Sequence, residues 1–163
     1  MAWQKNGTPE TLGGTADTIA ITDMTAKIFN NILVHTLPSG NMATYLRYNA
    51  DSASVYADRR SINGGADGTD ISGAFLLTSP NTGTAEDEFL VQNVCSISGE
   101  EKFAIIQHVS NTTAGAGTAP TRMETVGKYV PSPDADITEA SGNNTGGSGD
   151  FAASSNLSAL GTN

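Results

Sequence analysis

Apolar and polar residues alternate with a period of two along most of this chain, in short runs separated by turn-forming residues. In residues 17–22 the alternation places Ile19 and Ile21 on one face. Residues 27–37 carry the strongest strand pattern. There Ile28, Ile32 and Val34 share one parity while Phe29, Leu33 and His35 share the other, so both faces are partly apolar, as in a central strand. Residues 43–49 set Tyr45 and Arg47 against Leu46 and Tyr48. The clearest hairpin pairs residues 89–97 with 102–110 across Ser98-Gly99-Glu100-Glu101. Phe89, Val91 and Cys95 share a parity on its first strand, and Phe103, Ile105 and Val109 on its second. A further strand is predicted over 121–130.

The punctuation between these runs is explicit. Pro38-Ser39-Gly40-Asn41 and Pro131-Ser132-Pro133 stop the strands before them, and Pro80-Asn81-Thr82-Gly83 closes a strand predicted over 71–79. Asn63-Gly64, inside a loop or hairpin tip over 62–70, is a type I′ turn signal. Residues 52–58 read as a short strand or a turn, 111–120 as a Thr/Ala/Gly loop, and Ile137 as the centre of a short strand. Residues 141–149 read as a Gly/Asn/Ser loop, before a last segment anchored by Phe151, Leu157 and Leu160. Eight to ten short strands with regular turn signals predict an all-β fold, a β-sandwich of jelly-roll type. The expected organisation is one sandwich domain over 17–163, preceded by an extended N-terminal arm over 1–16. The arm holds Pro9 and Gly13-Gly14, and its only large apolar residues are Trp3 and Leu12. Trp3 either covers the edge of its own sandwich or docks on a neighbouring subunit.

Composition sharpens this picture. Gly, Ser, Thr and Asn supply 66 of the 163 residues, and charged residues only 15%. That argues against a helical bundle and against a doubly wound α/β enzyme. The net charge of −9, with eight basic residues, leaves no extended phosphate-binding surface, so neither nucleic acid nor an anionic membrane is an expected partner. Cys95 is the single cysteine, which excludes an intramolecular disulfide; inside an apolar strand it reads as a buried, inert thiol. Residues 1–7 contain no apolar run, so neither a signal peptide nor a transmembrane helix is expected there.

Candidate chemistry is sparse. His35 and His108 lie in separate strands and no Cys or His has zinc spacing. Asp67 with Asp70, and Asp134 with Asp136, lie near turns but lack the acid-rich spacing of a calcium loop, so no metal or other cofactor is expected. There is no Gly-x-Ser-x-Gly elbow and no phosphate loop, and Glu86-Asp87-Glu88 reads as a solvated charge run. No catalytic residue is assigned and the chain is not expected to be an enzyme. One concentration stands out: Tyr45, Arg47, Tyr48, Tyr56, Arg59 and Arg60 hold three of the four tyrosines within sixteen positions. Tyr and Arg dominate protein interfaces, and aromatic rings stack on sugars. Cross-strand pairs and a surface ion pair such as Asp58 with Arg59 are the plain structural alternative. Together with Trp3 and Leu12 these six residues are the candidate interface.

Several short motifs occur in order: Leu12-Gly13-Gly14-Thr15-Ala16-Asp17, Leu46-Arg47-Tyr48-Asn49-Ala50-Asp51, Tyr56, Arg59-Arg60-Ser61, Asn63-Gly64-Gly65 and a closing Gly149-Asp150-Phe151-Ala152-Ala153-Ser154-Ser155. In this order they resemble a diffuse group of small virion structural proteins of tailed phages and related prokaryotic viruses. The resemblance implies a jelly-roll-like domain on a virus particle, as a head-decoration, fibre or tail-associated subunit assembled in the host cytoplasm. It implies partners among copies of itself or other capsid or tail proteins, and it brings no catalytic residues. The rival expectation is a carbohydrate-binding adhesin domain of a tail or fibre, with a glycan as partner.

Overall fold

In a computed structural model, residues 2–77, 87–111, 113 and 115–163 are described. The period-two pattern becomes thirteen strands among them: β1 (Gln4–Lys5), β2 (Glu10–Thr11), β3 (Thr18–Ile21), β4 (Phe29–Thr36), β5 (Met42–Tyr48), β6 (Tyr56–Ile62), β7 (Gly68–Ser72), β8 (Phe75–Leu76), β9 (Asp87–Cys95), β10 (Lys102–Asn111), β11 (Thr121–Tyr129), β12 (Ala140–Gly147) and β13 (Asn156–Thr162). They form two antiparallel sheets. The larger runs β1-β13-β4-β9-β10-β11-β6-β7, with β2 also on β13, and the smaller runs β3-β12-β5-β8. The fold is thus an all-β sandwich. β4 lies between β13 and β9, the central place that its two apolar faces predict.

The core lies between the sheets. Ile19, Ile21, Leu46, Tyr48 and Ala140 come from the smaller sheet, and Ile32, Val34, Leu90, Val94, Ile106, Tyr129 and Leu157 from the larger. Each large apolar side chain removed from water contributes about 1.5–3 kcal/mol. Four rings lock one end: Tyr56 stacks on Tyr129 with centroids 4.7 Å apart, and Phe75 meets Tyr56 edge-on at 5.1 Å. Tyr48 closes the group at 5.3 Å from Tyr129.

Three local expectations are corrected. Residues 141–149 are not a loop as a whole: β12 runs through them at the centre of the smaller sheet, between β3 and β5. Small residues are what this place accepts, since a Cβ on Gly142 would come within 3.1 Å of Ile19 Cγ2. Ile137 is buried in an irregular segment and not in a strand. The single strand predicted over 71–79 is two elements in different sheets, β7 on β6 and β8 on β5. The chain crosses at Gly73, where a Cβ would lie 2.3 Å from the Ser52 carbonyl oxygen. Residues 78–83, the end of that predicted strand and the turn closing it, lie outside the described residues. Asn63 and Gly64 both have positive φ (52° and 74°) at the β6–β7 tip, in keeping with the turn signal.

Residues 2–16 lie along the edge of their own sandwich. Gln4 and Lys5 pair with Gly161 and Leu160, and Glu10 with Leu157. Asn6 is buried: its amide nitrogen donates to Asn30 Oδ1 at 2.8 Å, and its amide oxygen accepts from the Thr25 N–H at 2.9 Å. Leu12 packs half-buried against the core.

Candidate functional site

Strand parity decides what the larger sheet shows to solvent. Its inward rows meet the smaller sheet, and its other face has no covering layer among the described residues. On β10 the outward row is Phe103, Ile105, Gln107, Val109 and Asn111, and the inward row is Lys102, Ala104, Ile106, His108 and Ser110. The outward row is the more apolar of the two, the reverse of a solvated antiparallel sheet. Phe103 is 56% exposed and Ile105 57%. β9 adds Phe89, Val91, Asn93 and Cys95 to this face, β4 adds Phe29, Asn31, Leu33 and His35, β13 adds Ser158 and Leu160, and β11 adds Val126.

The inner face holds much of the polarity instead. Glu88 is buried and accepts a hydrogen bond from Thr36 Oγ1 at 3.1 Å. This corrects the reading of Glu86-Asp87-Glu88 as a solvated run: Asp87 is exposed, Glu88 is not, and Glu86 lies outside the described residues. Gln92 is fully buried, and among the described residues its amide has no hydrogen-bond partner. Lys102 is buried as well; its ammonium donates to the Ile97 carbonyl at 2.7 Å and to Asp134 at 3.0 Å, tying two loops together.

The outer face is grooved between its side-chain rows. One groove of about 250 Å³ is lined by Trp3, Phe29, Asn93, Cys95, Phe103 and Ile105. Trp3 is 51% exposed and stands at its margin, just before β1. Cys95 is half-buried in this groove wall and not in the core. Across β13, β4, β9 and β10 the only outward carboxylate is Asp87, at the first residue of β9, and no outward Lys or Arg occurs. Asn31 and Asn93 join their amides across the strands at 2.9 Å.

Charges return at the margins, mostly in pairs. Arg59 bridges Asp67 at 3.2 Å, Lys128 bridges Glu101 at 3.0 Å, and Arg122 lies 3.8 Å from Glu124. Lys5, opposite Leu160, and Asp87 complete the set. Among the described residues these four basic and four acidic groups balance, while the whole chain carries −9.

The eight residues singled out from sequence fall in different places. Trp3 and Arg59 are exposed on the outer-face side. Tyr45 and Arg47 are half-buried on the opposite face of the sandwich, with Arg47 Nε donating to the Gly73 carbonyl at 3.1 Å. Arg60 binds Asp58 at 3.1 Å, so the ion pair expected between Asp58 and Arg59 goes to Arg60, which shares Asp58's side of the strand. Burial pushes the Asp58 carboxyl above its ordinary range, and Arg60 opposes that shift. Tyr48 and Tyr56 are fully buried, which removes them from any interface. Burial raises both phenols well above their ordinary value. Leu12 is a core flank.

The motif around Tyr48 is a structural clasp. Asn49 and Ala50 both have positive φ, and the Asp51 N–H donates to the Tyr48 carbonyl at 2.9 Å, which makes a type I′ turn. Asn49 Oδ1 accepts from the Thr138 and Glu139 N–H groups at 2.9 and 3.2 Å. Of the acid pairs considered for calcium, Asp67 is held by Arg59, Asp70 lies 3.7 Å from Arg60, and Asp134 is held by Lys102. Among the described residues no cluster of three His, Cys, Asp or Glu side chains could hold a metal ion.

Sequence reasoning did not single out Phe29, Phe103, Ile105 and Val126 as surface residues. The signal was present: residues 89–99 and 103–110 contain no charged residue on either parity. No family model, no curated protein and no solved structure matches this chain.

Proposed function

We propose that this chain is a non-enzymatic structural subunit of a virus particle, a jelly-roll-like sandwich that assembles by burying the outer face of its larger sheet. The observation that carries the reading is the inverted polarity of β10, whose outward row is more apolar than its inward row. A face of this kind gains free energy when another surface removes it from water, at roughly 25 cal/mol per Å² of apolar area. The order of short motifs from Leu12 to Ser155 supports the virion assignment, and the particle is then the protein's location and its other subunits its partners. Trp3, at the groove margin, serves as an anchor of the kind that dominates interfaces.

A second reading draws on the same groove. Trp3, Phe29 and Phe103 surround it and Asn93 offers an amide, which is the chemistry that stacks on and hydrogen-bonds a sugar. Light scattering of the full chain over a range of concentrations separates the two. The structural reading expects a mass above one chain that does not depend on added glycan. A single chain at every concentration, with glycan binding abolished by Trp3→Ala, would replace it with the adhesin reading.

A further inference from the structure

We infer that the occupant of the outer face is a second copy of this chain, packed face to face about a two-fold axis; this rests on the assembly reading and names its partner. A two-fold interface places the same patch of both copies in contact, so any net charge on the patch is set against itself. In a chain of net charge −9, most choices of patch would repel their own copy. The described residues of the outer face do not. Its centre is free of charge, Asp87 lies at the end of β9, and Arg59, Arg122 and Lys128 at its margin each have a carboxylate within 4 Å. Neutrality gives no advantage against an acidic or a basic foreign surface, but it is the condition for self-association.

The size also fits. Five strands from β13 to β11, about 4.8 Å apart and about eight residues long at roughly 3.4 Å per residue, give a face on the order of 600 Å² in projection. Two such faces bury on the order of 1,200 Å², the lower limit of stable standard interfaces. Face-to-face sheet packing at about 10 Å is also the arrangement that lets grooves receive exposed rows such as Phe103 and Ile105. One edge of each sheet is short, since β1, β2 and β8 have two residues each, which limits edge-to-edge pairing there.

The test uses the full chain and three variants at exposed positions, with far-ultraviolet circular dichroism as the check of folding. Sedimentation of the wild type is expected to give twice the mass of one chain, with no further growth. Ile105→Glu is expected to weaken the pair by about 30-fold or more, the size of a hot-spot loss. Arg122→Glu makes the face negative and Glu124→Lys makes it positive. Each alone is expected to weaken pairing by about tenfold at low ionic strength, and an equimolar mixture to restore it. A larger assembly, or a two-chain species unmoved by Ile105→Glu, overturns face-to-face pairing and leaves the assembly reading standing. A single chain at every concentration overturns the pairing, and overturns the assembly reading as well where glycan binding is abolished by Trp3→Ala.

Discussion

Tyr56 Oη accepts the backbone N–H of Tyr48 at 2.9 Å, and its hydroxyl has two carbonyl acceptors within reach, Tyr48 at 3.3 Å and Asp51 at 3.2 Å. One phenol from the larger sheet thereby holds both ends of the tight turn that closes β5 in the smaller sheet. The turn in turn presents Asn49 to the segment leading into β12. The Tyr-Asn-x-Asp motif and the tyrosine five residues beyond it are one joint between the two layers.

Tyr56→Phe keeps the ring packing and removes that joint. A buried N–H is left without an acceptor, at a cost of about 1–3 kcal/mol. Urea denaturation is expected to show a lower midpoint with an unchanged slope. A midpoint equal to wild type would show that the turn stands without the phenol.

Gly149 and Gly40 touch backbone to backbone. A Cβ on Gly149 would lie 2.5 Å from the Gly40 carbonyl carbon. Neither backbone can yield without moving the end of β12, so Gly149→Ala is expected to cost about 1–3 kcal/mol or more. Gly13→Ala, with nothing within 4 Å of its Cβ, is the control and is expected to stay within about 0.5 kcal/mol of wild type. Thermal melts of the two variants check the contrast.

Asp23 ties down the arm. Its carboxylate accepts the Thr8 N–H at 2.7 Å and the Thr8 hydroxyl at 2.7 Å, and these two bonds, the backbone one first, hold its pKa below the ordinary 3.8. A lowered folded value means that the stabilisation is complete above 3.8 and is lost as pH falls through the folded value. The protection of the Thr8 amide, the slowing of its exchange relative to the intrinsic rate at the same pH, is expected to fall as the solution is acidified below pH 3.8, and to be low at every pH in Asp23→Ala.

The tyrosine cluster sets the alkaline limit. Burial, followed by the Asp51 carboxylate, pushes Tyr129 up from 10.0 to about 12, and burial raises Tyr48 and Tyr56 as well. With folded values raised, the contribution is complete below pH 10 and is lost as pH rises from there towards 12. Tyrosinate absorbance is expected to appear in a cooperative step together with unfolding. Asp51→Asn removes one of the raising charges and is expected to bring Tyr129 ionisation to lower pH. Independent, gradual ionisation of these phenols in the folded protein would contradict this account.

By itself the sequence determined that the protein is all-β, and it located β3, β4, β5, β9, β10 and β11, because period-two alternation and turn residues act over a few neighbours. It also marked the Asn63-Gly64 tip. It could not say which parity of β9 and β10 meets the core, since within residues 89–95 and 103–110 both rows are free of charge and both contain apolar residues. Only the position of the smaller sheet decides that, and it sends Phe89, Phe103 and Ile105 outward. Nor could composition show that the Gly/Asn/Ser run is β12, where close approach to Ile19 favours the small residues that local propensity counts against a strand. The same holds for Tyr48 and Tyr56. Their residue type suits a binding surface, but the layer that closes over them makes them the joint of the sandwich, and the candidate interface passes to residues brought together only by strand order.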